Sequence, residues 1–406
     1  MDIGMKNKTN VDELSLFGGS PTFEERTLHV GQPNIGRRER LFERINDMLD
    51  RRWLSNNGPL VQELEKKIAH FLGVKHCLLI CNATIALEIA VRALELRGEV
   101  IVPSFTFIAS AHALQWQGIT PVFCDVDPKT HNIDPVKIEE LITPRTTGIL
   151  GVHAWGRACD VDNLNAIAQK FKLKLLFDAA HAFGSTYQGK MIGGFGDAEV
   201  FSFHATKFFN TFEGGAITTN NDHLAEKISG MRNFGFAGLD RVIQLGTNGK
   251  MSEVSAAMGL TSLESIDEFI NTNLGNYLTY ASELEGIPGV RLIVYEANEK
   301  NNYQYVVIEV DEKAAGISRD SIVNILHAEN ILARRYFFPG CHQMEPYRSN
   351  FPNARLLLFE TEKLTQKVMQ LPTGTALGTP EIGYVCELIR FIVKNNAEIQ
   401  KRLNSQ

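Results

Sequence analysis

Short apolar runs alternate with helix-like stretches along the first two thirds of the chain. Several of the runs are continuously hydrophobic, which is typical of strands that are covered on both faces in a parallel sheet. We therefore predict a doubly wound α/β domain in which most connections cross over through helices. The predicted strands cover 76–81, 99–105, 121–127, 147–154, 174–178, 199–203 and 215–219, and the predicted helices cover 60–72, 84–96, 108–117, 134–142 and 161–171.

The pattern changes after residue 264. Residues 265–284 predict a long helix, 303–310 alternate as a strand does, and 318–329 form an amphipathic stretch that opens with a cap-like Ser-Arg-Asp. A chain of 406 residues also exceeds the usual limit of a single core. We predict an N-terminal arm over 1–30, a large domain over 31–269 and a small α+β domain over 270–406.

Composition and charge narrow the class of protein. Apolar residues make up 44% of the chain and charged residues 22%, which is ordinary for a globular protein. The net charge of −6 gives no general positive field for nucleic acid or an anionic membrane, so neither is expected as a partner. Residues 1–25 lack the apolar region of a secretion signal, and no apolar run reaches the length of about 18 residues that a membrane span needs. The sequence predicts a cytoplasmic protein.

The six cysteines do not suggest a metal site. None of them forms a Cys-x-x-Cys pair, and several lie inside apolar runs, as Cys77 and Cys81 do. Zinc sites and iron–sulfur clusters both require spacings that this chain lacks. We expect reduced, mostly buried thiols and no bound metal.

Two strand ends are candidates for contacts with a ligand. Residues 81–84 (Cys-Asn-Ala-Thr) close a predicted strand and open a predicted helix, so backbone N–H groups and the Thr84 hydroxyl form a possible anion site there. A simple helix cap is the alternative, and the commoner case for this segment alone. Residues 103–107 follow the next strand, where an aromatic side chain either stacks on a flat heteroaromatic ring or packs in the core.

Two further strand ends carry an acid and a lysine. Asp178 ends an apolar strand and precedes Ala-Ala-His181. Its carboxylate needs a partner if it is buried, such as a protonated pyridine nitrogen, unless it caps the next helix. Lys207 ends the stretch Phe-Ser-Phe-His-Ala-Thr-Lys, which Glu213-Gly-Gly follows. Partial burial would lower the pKa of its amine and make it nucleophilic toward an aldehyde, whereas a lone lysine is usually a solvated surface charge.

The four segments together match one cofactor. They supply a phosphate site, a ring-stacking aromatic, a partner for a pyridine nitrogen and an imine-forming lysine. That set is what pyridoxal 5′-phosphate (PLP) requires of a protein. Each segment falls at or near the carboxyl end of a predicted strand, where open α/β sheets bind ligands. The sequence therefore predicts a PLP-dependent enzyme.

At these residues the sequence resembles the DegT/DnrJ/EryC1/StrS family of sugar aminotransferases. The resemblance begins at 53–59 (Trp-Leu-Ser-Asn-Asn-Gly-Pro), includes 246–253 (Gly-Thr-Asn-Gly-Lys-Met-Ser-Glu) and fades in the C-terminal part. Ser-Phe-His-x-x-Lys followed by Glu-Gly-Gly is a specific mark of the family. The resemblance implies an aspartate-aminotransferase-like fold, with a mostly parallel seven-stranded sheet in the large domain and a smaller α+β C-terminal domain.

The resemblance also implies a role for each matching residue. Lys207 would carry the cofactor as a Schiff base and move the proton. Asp178 would pair with the pyridine nitrogen, and His181 would lie near the phenolic oxygen of the cofactor. The remaining implied contacts are Phe107 on the ring and Ala83, Thr84 and Ser202 on the phosphate.

A homodimer with shared active sites is a further implication. In this family the segment that contains Asn248 reaches the phosphate of the neighbouring subunit's cofactor. The family pattern usually has an aromatic residue on either side of this asparagine, whereas this chain has Thr247 and Gly249. The asparagine role is still expected, with room for a different contact to sugar or nucleotide.

The implied reaction is a transamination between glutamate, which leaves as 2-oxoglutarate, and a nucleotide-linked keto-deoxy-sugar. The resemblance points to dTDP-4-keto-6-deoxyglucose aminated at C4, with a C3-keto isomer as the alternative. Arg334, Arg335 and Tyr336 are candidates for the diphosphate, although a basic surface turn explains them equally well. Trp155 and Arg157 are candidates for the sugar site, with packing as an equal alternative.

Two other classes of protein compete with this interpretation. A non-catalytic PLP-fold regulator would usually have lost the lysine or the aspartate, and both are present here. A Rossmann oxidoreductase would need a Gly-x-Gly-x-x-Gly turn after the first strand, and the sequence has no such turn there.

Overall fold

A seven-stranded sheet lies at the centre of the computed structural model, which describes residues 7–405. Six of its strands run in one direction, and Gly215–Thr219 is antiparallel to both of its neighbours. The predicted, mostly parallel sheet is confirmed. The strands of the chain are β1 Leu28–His29, β2 His76–Ile80, β3 Glu99–Pro103, β4 Thr120–Cys124, β5 Thr146–Val152, β6 Lys174–Asp178, β7 Thr186–Tyr187, β8 Lys190–Met191, β9 Ala198–Ser202, β10 Gly215–Thr219, β11 Val290–Leu292, β12 Val306–Val310, β13 Ile331–Leu332 and β14 Val368–Leu371.

The strand order fixes where a ligand site can form. Across the sheet the order is β2, β10, β9, β6, β5, β3 and β4, so the carboxyl ends of six strands meet at one edge. Helices cover the faces, and none within residues 7–405 combines the length and apolar character needed to cross a lipid bilayer. The helices are α1 Arg38–Arg51, α2 Pro59–Leu72, α3 Ala83–Ala93, α4 Ile108–Gln115, α5 Val161–Phe171, α6 Asp222–Met231, α7 Glu253–Glu264, α8 Ile266–Glu283, α9 Glu312–Ala315, α10 Arg319–Ala328, α11 Tyr347–Asn350, α12 Phe359–Lys367, α13 Thr379–Lys394 and α14 Asn396–Leu403.

Local sequence sets most of these helix ends. Pro59 is the first residue of α2, where a missing N–H costs nothing, and Gly73 ends the helix with a positive φ of 68°. The Asn82 side chain caps α3 by accepting the Ile85 N–H at 2.9 Å. The strand β6 runs from an exposed lysine into buried leucine, phenylalanine and aspartate, as expected of a strand that enters a covered sheet.

The helix predicted over 134–142 is wrong. The segment forms two short 3₁₀ turns instead, Pro135–Lys137 and Glu139–Leu141. Asp134 accepts the backbone N–H of Val136 at 3.0 Å, so its side chain starts a tight turn. The backbone bonds that follow join each N–H to the carbonyl three residues earlier, which gives 3₁₀ geometry rather than an α-helix.

The C-terminal part has its own core around a sheet of β11, β12 and β14. The described part of the predicted arm belongs to this core, because Val11, Leu14 and Phe23 pack in it and β1 pairs in parallel with β13. The buried carboxylate of Glu329 also accepts backbone N–H groups from the arm. Residues 1–6 of that arm lie outside the described residues. The domain boundaries at 30 and 269 stay predictions.

Candidate active site

A cleft of about 610 Å³ opens at the carboxyl edge of the sheet. The C-terminal part forms its opposite wall, and residues 29–33, at the end of the predicted arm and just beyond it, close one end. Nine of the predicted site residues line this one cleft, although they come from segments far apart in the sequence. They are Ala83, Thr84, Phe107, Asp178, His181, Ser202, Lys207, Arg334 and Tyr336.

Lys207 follows β9 and presents its amine to the cleft. The side chain is half-buried, and its Nζ donates a hydrogen bond to the Tyr305 hydroxyl over 2.8 Å. Burial lowers the pKa of the Lys207 amine to about 8, against the opposing influence of the Asp178 carboxylate. At neutral pH a useful fraction of this amine is therefore unprotonated and nucleophilic.

Asp178 ends β6 and is buried beneath the cleft. Its Oδ2 accepts the Ser110 hydroxyl at 2.7 Å, and its Oδ1 accepts the Ala180 N–H at 3.1 Å. Burial raises the pKa of the Asp178 carboxyl, while these two donors favour the ionised form. A cationic ring nitrogen in the cleft would stabilise the carboxylate further.

His181 is buried beside these two residues. Its Nδ1 accepts the Trp155 backbone N–H at 3.3 Å, so the ring proton lies on Nε2. Burial and the nearby Lys207 charge hold the pKa of His181 well below its usual value, so the imidazole is neutral. The ring lies 4.4 Å from that of Tyr305, centroid to centroid. His181 can therefore donate a hydrogen bond from Nε2.

The start of α3 forms a possible phosphate site. The Asn82 side chain bonds the Ile85 N–H, which leaves the first amides of the helix beside the cleft. Strand β10 passes so close that a Cβ on Gly215 would lie 2.8 Å from the Ala83 nitrogen. Ser202 approaches from the end of β9, where its Oγ accepts the His204 N–H at 3.5 Å. Backbone donors and hydroxyls thus line the same cleft, as an anion site requires.

Aromatic and basic side chains form the outer rim. Phe107 is 52% exposed and packs edge-on against Tyr336, with 6.4 Å between ring centroids. The Arg334 guanidinium lies 5.1 Å above the Tyr336 ring and donates to its hydroxyl at 3.0 Å. The rim therefore offers a flat surface and a fixed positive charge to an anionic substrate.

Four predicted site residues do not line this cleft. Trp155 is fully buried behind His181, and its indole N–H donates to His131 Nδ1 at 3.1 Å. Arg157 donates to the Lys129 carbonyl at 2.9 Å, in the manner of a packing residue. Arg335 pairs with Asp320 at 3.2 Å. The fourth, Asn248, is exposed and accepts the Lys250 ammonium at 2.7 Å.

A family model now matches this arrangement. The model of the DegT/DnrJ/EryC1/StrS aminotransferase family covers residues 36–390. The chain belongs to this family. Its members are enzymes, so the chain is an aminotransferase rather than a regulatory relative of the fold.

Individual relatives agree with the family along nearly the whole chain. A dTDP-4-amino-4,6-dideoxy-D-glucose transaminase of Shigella dysenteriae is 41% identical over 373 residues, which is 91% of this chain and 100% of that protein. A transaminase of the same description from Escherichia coli is 36% identical over 368 residues, covering 90% and 98%. The crystal structure of DesI in the presence of its TDP-sugar product superposes with a TM-score of 0.93 at 46% identity, covering 97% of this chain and 100% of that one.

Aminotransferases of the DegT/DnrJ/EryC1/StrS family depend on PLP, and the residues of this cleft fit that cofactor. An amine with a lowered pKa faces the cleft opposite a buried carboxylate that has donors on both oxygens. The amides at the start of α3 lie beside the same cleft and suit a phosphate. Lys207, Asp178 and the start of α3 would hold the aldehyde, the ring nitrogen and the phosphate respectively.

The sequence did not reveal several residues that line this cleft. Tyr305 lies 98 positions after Lys207 and reads only as part of a strand. Phe337 reaches the cleft from the C-terminal part, and residues 29–33 reach it from the segment that begins at β1, which pairs with β13. Ser110 carried a weak signal, since it lies in the first turn of a helix that follows an identified site segment.

Proposed function

We propose that this aminotransferase transfers an amino group from glutamate to a nucleotide-linked keto-deoxy-sugar, namely dTDP-4-keto-6-deoxyglucose at C4. The observation that carries the proposal is the cleft itself, in which Lys207, Asp178 and the start of α3 meet below a basic, aromatic rim. The relatives that cover nearly the whole chain are described as transaminases of dTDP-4-amino-4,6-dideoxy-D-glucose, which supports this substrate.

In this proposal the chain's own residues hold the ring and move the proton. When bound, PLP supplies an electron-withdrawing ring that accepts the electron pair of the broken bond. Asp178 would pair with the protonated ring nitrogen, and Ser110 and the Ala180 N–H favour its ionised form against the opposing effect of burial. Lys207 would take the proton from the donor's α-carbon onto its own Nζ and release it again from that nitrogen to complete the transfer, as an amine with a pKa of about 8 can.

The rim is the proposed site for the nucleotide. Arg334 offers a guanidinium to the diphosphate, and Tyr336 with Phe107 offers aromatic surface to the base or the sugar. Arg335 is not part of this surface because it pairs with Asp320. Neither Trp155 nor Arg157 lines the cleft, so we propose that they support His181 and the adjoining loop from behind.

The test measures product formation from two sugars. Purified protein with PLP and glutamate would be incubated separately with dTDP-4-keto-6-deoxyglucose and with its 3-keto isomer, and the position of the new amine would be read by nuclear magnetic resonance. Amination at C4 is expected. Turnover of the 3-keto sugar alone would favour the alternative function. A relative from Aneurinibacillus thermoaerophilus is described as a dTDP-3-amino-3,6-dideoxy-alpha-D-galactopyranose transaminase. It is 32% identical over 369 residues, covering 89% of this chain and 98% of that protein.

The cofactor step is tested by visible absorbance with and without glutamate. The cofactor band should change when glutamate is added to the wild type, and the Lys207→Ala variant should lose about 10²–10⁴-fold in rate from the proton-transfer role alone. A protein that shows no cofactor band even with added PLP would contradict the assignment of Lys207.

A homodimer with shared sites is part of the proposal. The loop between α6 and α7 exposes six apolar side chains, which a second copy would cover. Asn248 lies at the end of this loop and does not line its own chain's cleft. The six side chains are those of Phe234, Phe236, Leu239, Val242, Ile243 and Leu245.

Subunit mixing tests the shared site. Lys207→Ala and Asn248→Asp variants should each be nearly inactive, but a mixed dimer has one site with neither defect if Asn248 acts across the interface. Recovery of activity after mixing and re-equilibration supports the proposal. A mixture that stays inactive while mixed dimers form would show that Asn248 does not serve the neighbouring site.

A cytoplasmic location also belongs to the proposal. The six cysteines all lie within residues 7–405 and are free thiols, which suits a reducing compartment. Fractionation of cells that express the chain would test this, and recovery in a secreted fraction would contradict it.

A further inference from the structure

We propose that Tyr305 is a positioning residue that holds the amine of Lys207 whenever this lysine is not joined to the cofactor. The inference rests on the proposed role of Lys207. It adds a contribution from the C-terminal part to a site whose covalent chemistry lies on the central sheet. The contact itself is the bond of 2.8 Å from Lys207 Nζ to the Tyr305 hydroxyl.

Tyr305 is the hydrogen-bond partner of the Lys207 amine and is itself held in place by packing. Among residues 7–405, its hydroxyl is the one hydrogen-bond partner of the Lys207 side chain. The Tyr305 ring is buried and lies beside both Trp155 and His181, with 4.4 Å between its centroid and that of His181. A phenol fixed in this way limits the directions in which the amine points.

The backbone just before Tyr305 is fastened to two segments that border the cleft, one after β6 and one after β9. Asn302 donates from its side chain to the His181 carbonyl at 2.8 Å. The Gln304 side chain accepts the Phe208 N–H at 2.9 Å, one residue after Lys207. Both bonds are made by residues that shortly precede Tyr305, three positions and one position earlier, so the fold fixes the backbone from which the tyrosine side chain reaches the lysine.

The chemistry of a phenol suits both states of the amine. Burial raises the pKa of the Tyr305 hydroxyl well above its usual value, so it keeps its proton. A protonated phenol can accept from an ammonium group and can also donate to a free amine. Tyr305 can therefore hold Lys207 before it removes a proton and after it has received one, which are the two states in which the lysine is free.

This role makes an unusual prediction for Tyr305→Phe. The variant keeps the buried ring but removes a partner that only the free lysine uses. PLP should therefore link to Lys207 at least as tightly as in the wild type, and up to about tenfold more tightly. The reason is that the state with a free lysine, which competes with linkage, loses a hydrogen bond of ordinary net strength. The half-reaction with glutamate should slow by about tenfold, because the released amine is less well oriented.

The experiment measures both quantities in the same proteins. PLP would be titrated into cofactor-free wild type, Tyr305→Phe and Tyr277→Phe, with visible absorbance as the readout, and the single-turnover rate with glutamate would follow by stopped flow. Tyr277 is a matched control, because its buried hydroxyl donates to the Ile293 carbonyl at 3.0 Å and does not touch Lys207. The control should leave PLP affinity and the half-reaction near wild type.

The outcomes separate the two proposals. Equal or tighter PLP binding with a slower half-reaction in Tyr305→Phe supports the positioning role. Weaker PLP binding, or an unchanged half-reaction rate, would overturn it and leave Tyr305 as a packing residue. The Lys207→Ala variant, measured in parallel, reports on the proposed function: if it still forms the lysine-linked absorbance band, the assignment of Lys207 fails whatever Tyr305 does.

Discussion

Replacing Ser110 with alanine should shift the pH dependence of the enzyme. The Ser110 hydroxyl donates to Asp178 Oδ2 at 2.7 Å, and the Thr106 hydroxyl lies 2.9 Å from Ser110 Oγ, where it orients the donor. The alanine variant removes one of the two donors that favour the ionised carboxylate. The other donor, the Ala180 N–H at 3.1 Å, remains.

The magnitude follows from the strength of this bond. A hydrogen bond to a charged group contributes about 1.5–3 kcal/mol, and one pKa unit corresponds to about 1.4 kcal/mol. Burial already raises the pKa of Asp178, so losing this donor should raise it further, by about one to two units. The Asp178 carboxylate then protonates at a higher pH, and below that pH the ring nitrogen of the cofactor would lack its anionic partner.

The assay is the pH profile of the glutamate half-reaction. The acid limb should move upward by about one unit or more in Ser110→Ala, with a rate loss of about tenfold at pH below the new limb. Ser185→Ala is a matched control, because the Ser185 hydroxyl is buried but has no hydrogen-bond partner within residues 7–405. If the acid limb of Ser110→Ala coincides with that of the wild type, Ser110 does not keep Asp178 ionised.

Three further substitutions test other parts of the site. Without cofactor, Lys207→Met should unfold at a higher temperature than the wild type below about pH 8, because the wild type buries a charged amine there. Folding lowers the pKa of this amine from 10.5 to about 8, so the difference in melting temperature should shrink as the pH rises between these two values. Equal melting temperatures at pH 7 would refute the cost of burial. Arg334→Gln should raise the KM for the nucleotide sugar by about tenfold or more, whereas Arg335→Gln should leave it near wild type; equal effects would argue against a rim site. Gly215→Ala should weaken PLP binding because its Cβ would crowd the start of α3, and Gly275→Ala, with open space around it, is the control in the same titration.

The sequence predicted the part of the site that follows strand ends. Lys207, Asp178 and Ala83 each come next to an apolar run, and parallel strands bring their carboxyl ends to one edge, so local pattern and sheet geometry are enough. The same reasoning cannot find Tyr305. Its neighbour in space, Lys207, is 98 positions away, and a tyrosine in an alternating strand carries no mark of function.

Surface chemistry was harder to predict than the strand ends. Arg334 and Arg335 are adjacent and chemically equal, yet one lines the cleft and the other turns to Asp320. Trp155 follows a strand end like the true site residues, but a positive φ of 63° turns this segment and buries the indole. Side-chain direction depends on such backbone detail, which residue type alone does not specify.

The pairing of β1 with β13 constrains the order in which parts of this enzyme can fold during its synthesis. Leu28 lies opposite Ile331, and the residues that close the end of the cleft follow β1 directly. A ribosome releases the amino-terminal strand first and its partner only when most of the chain has emerged, so the strand must wait unpaired through most of translation. The central sheet can close earlier, from contiguous segments. The cleft therefore gains its last wall only near the end of synthesis, and a nascent chain halted before β13 would carry the reactive lysine in a site open to the cell's aldehydes and water.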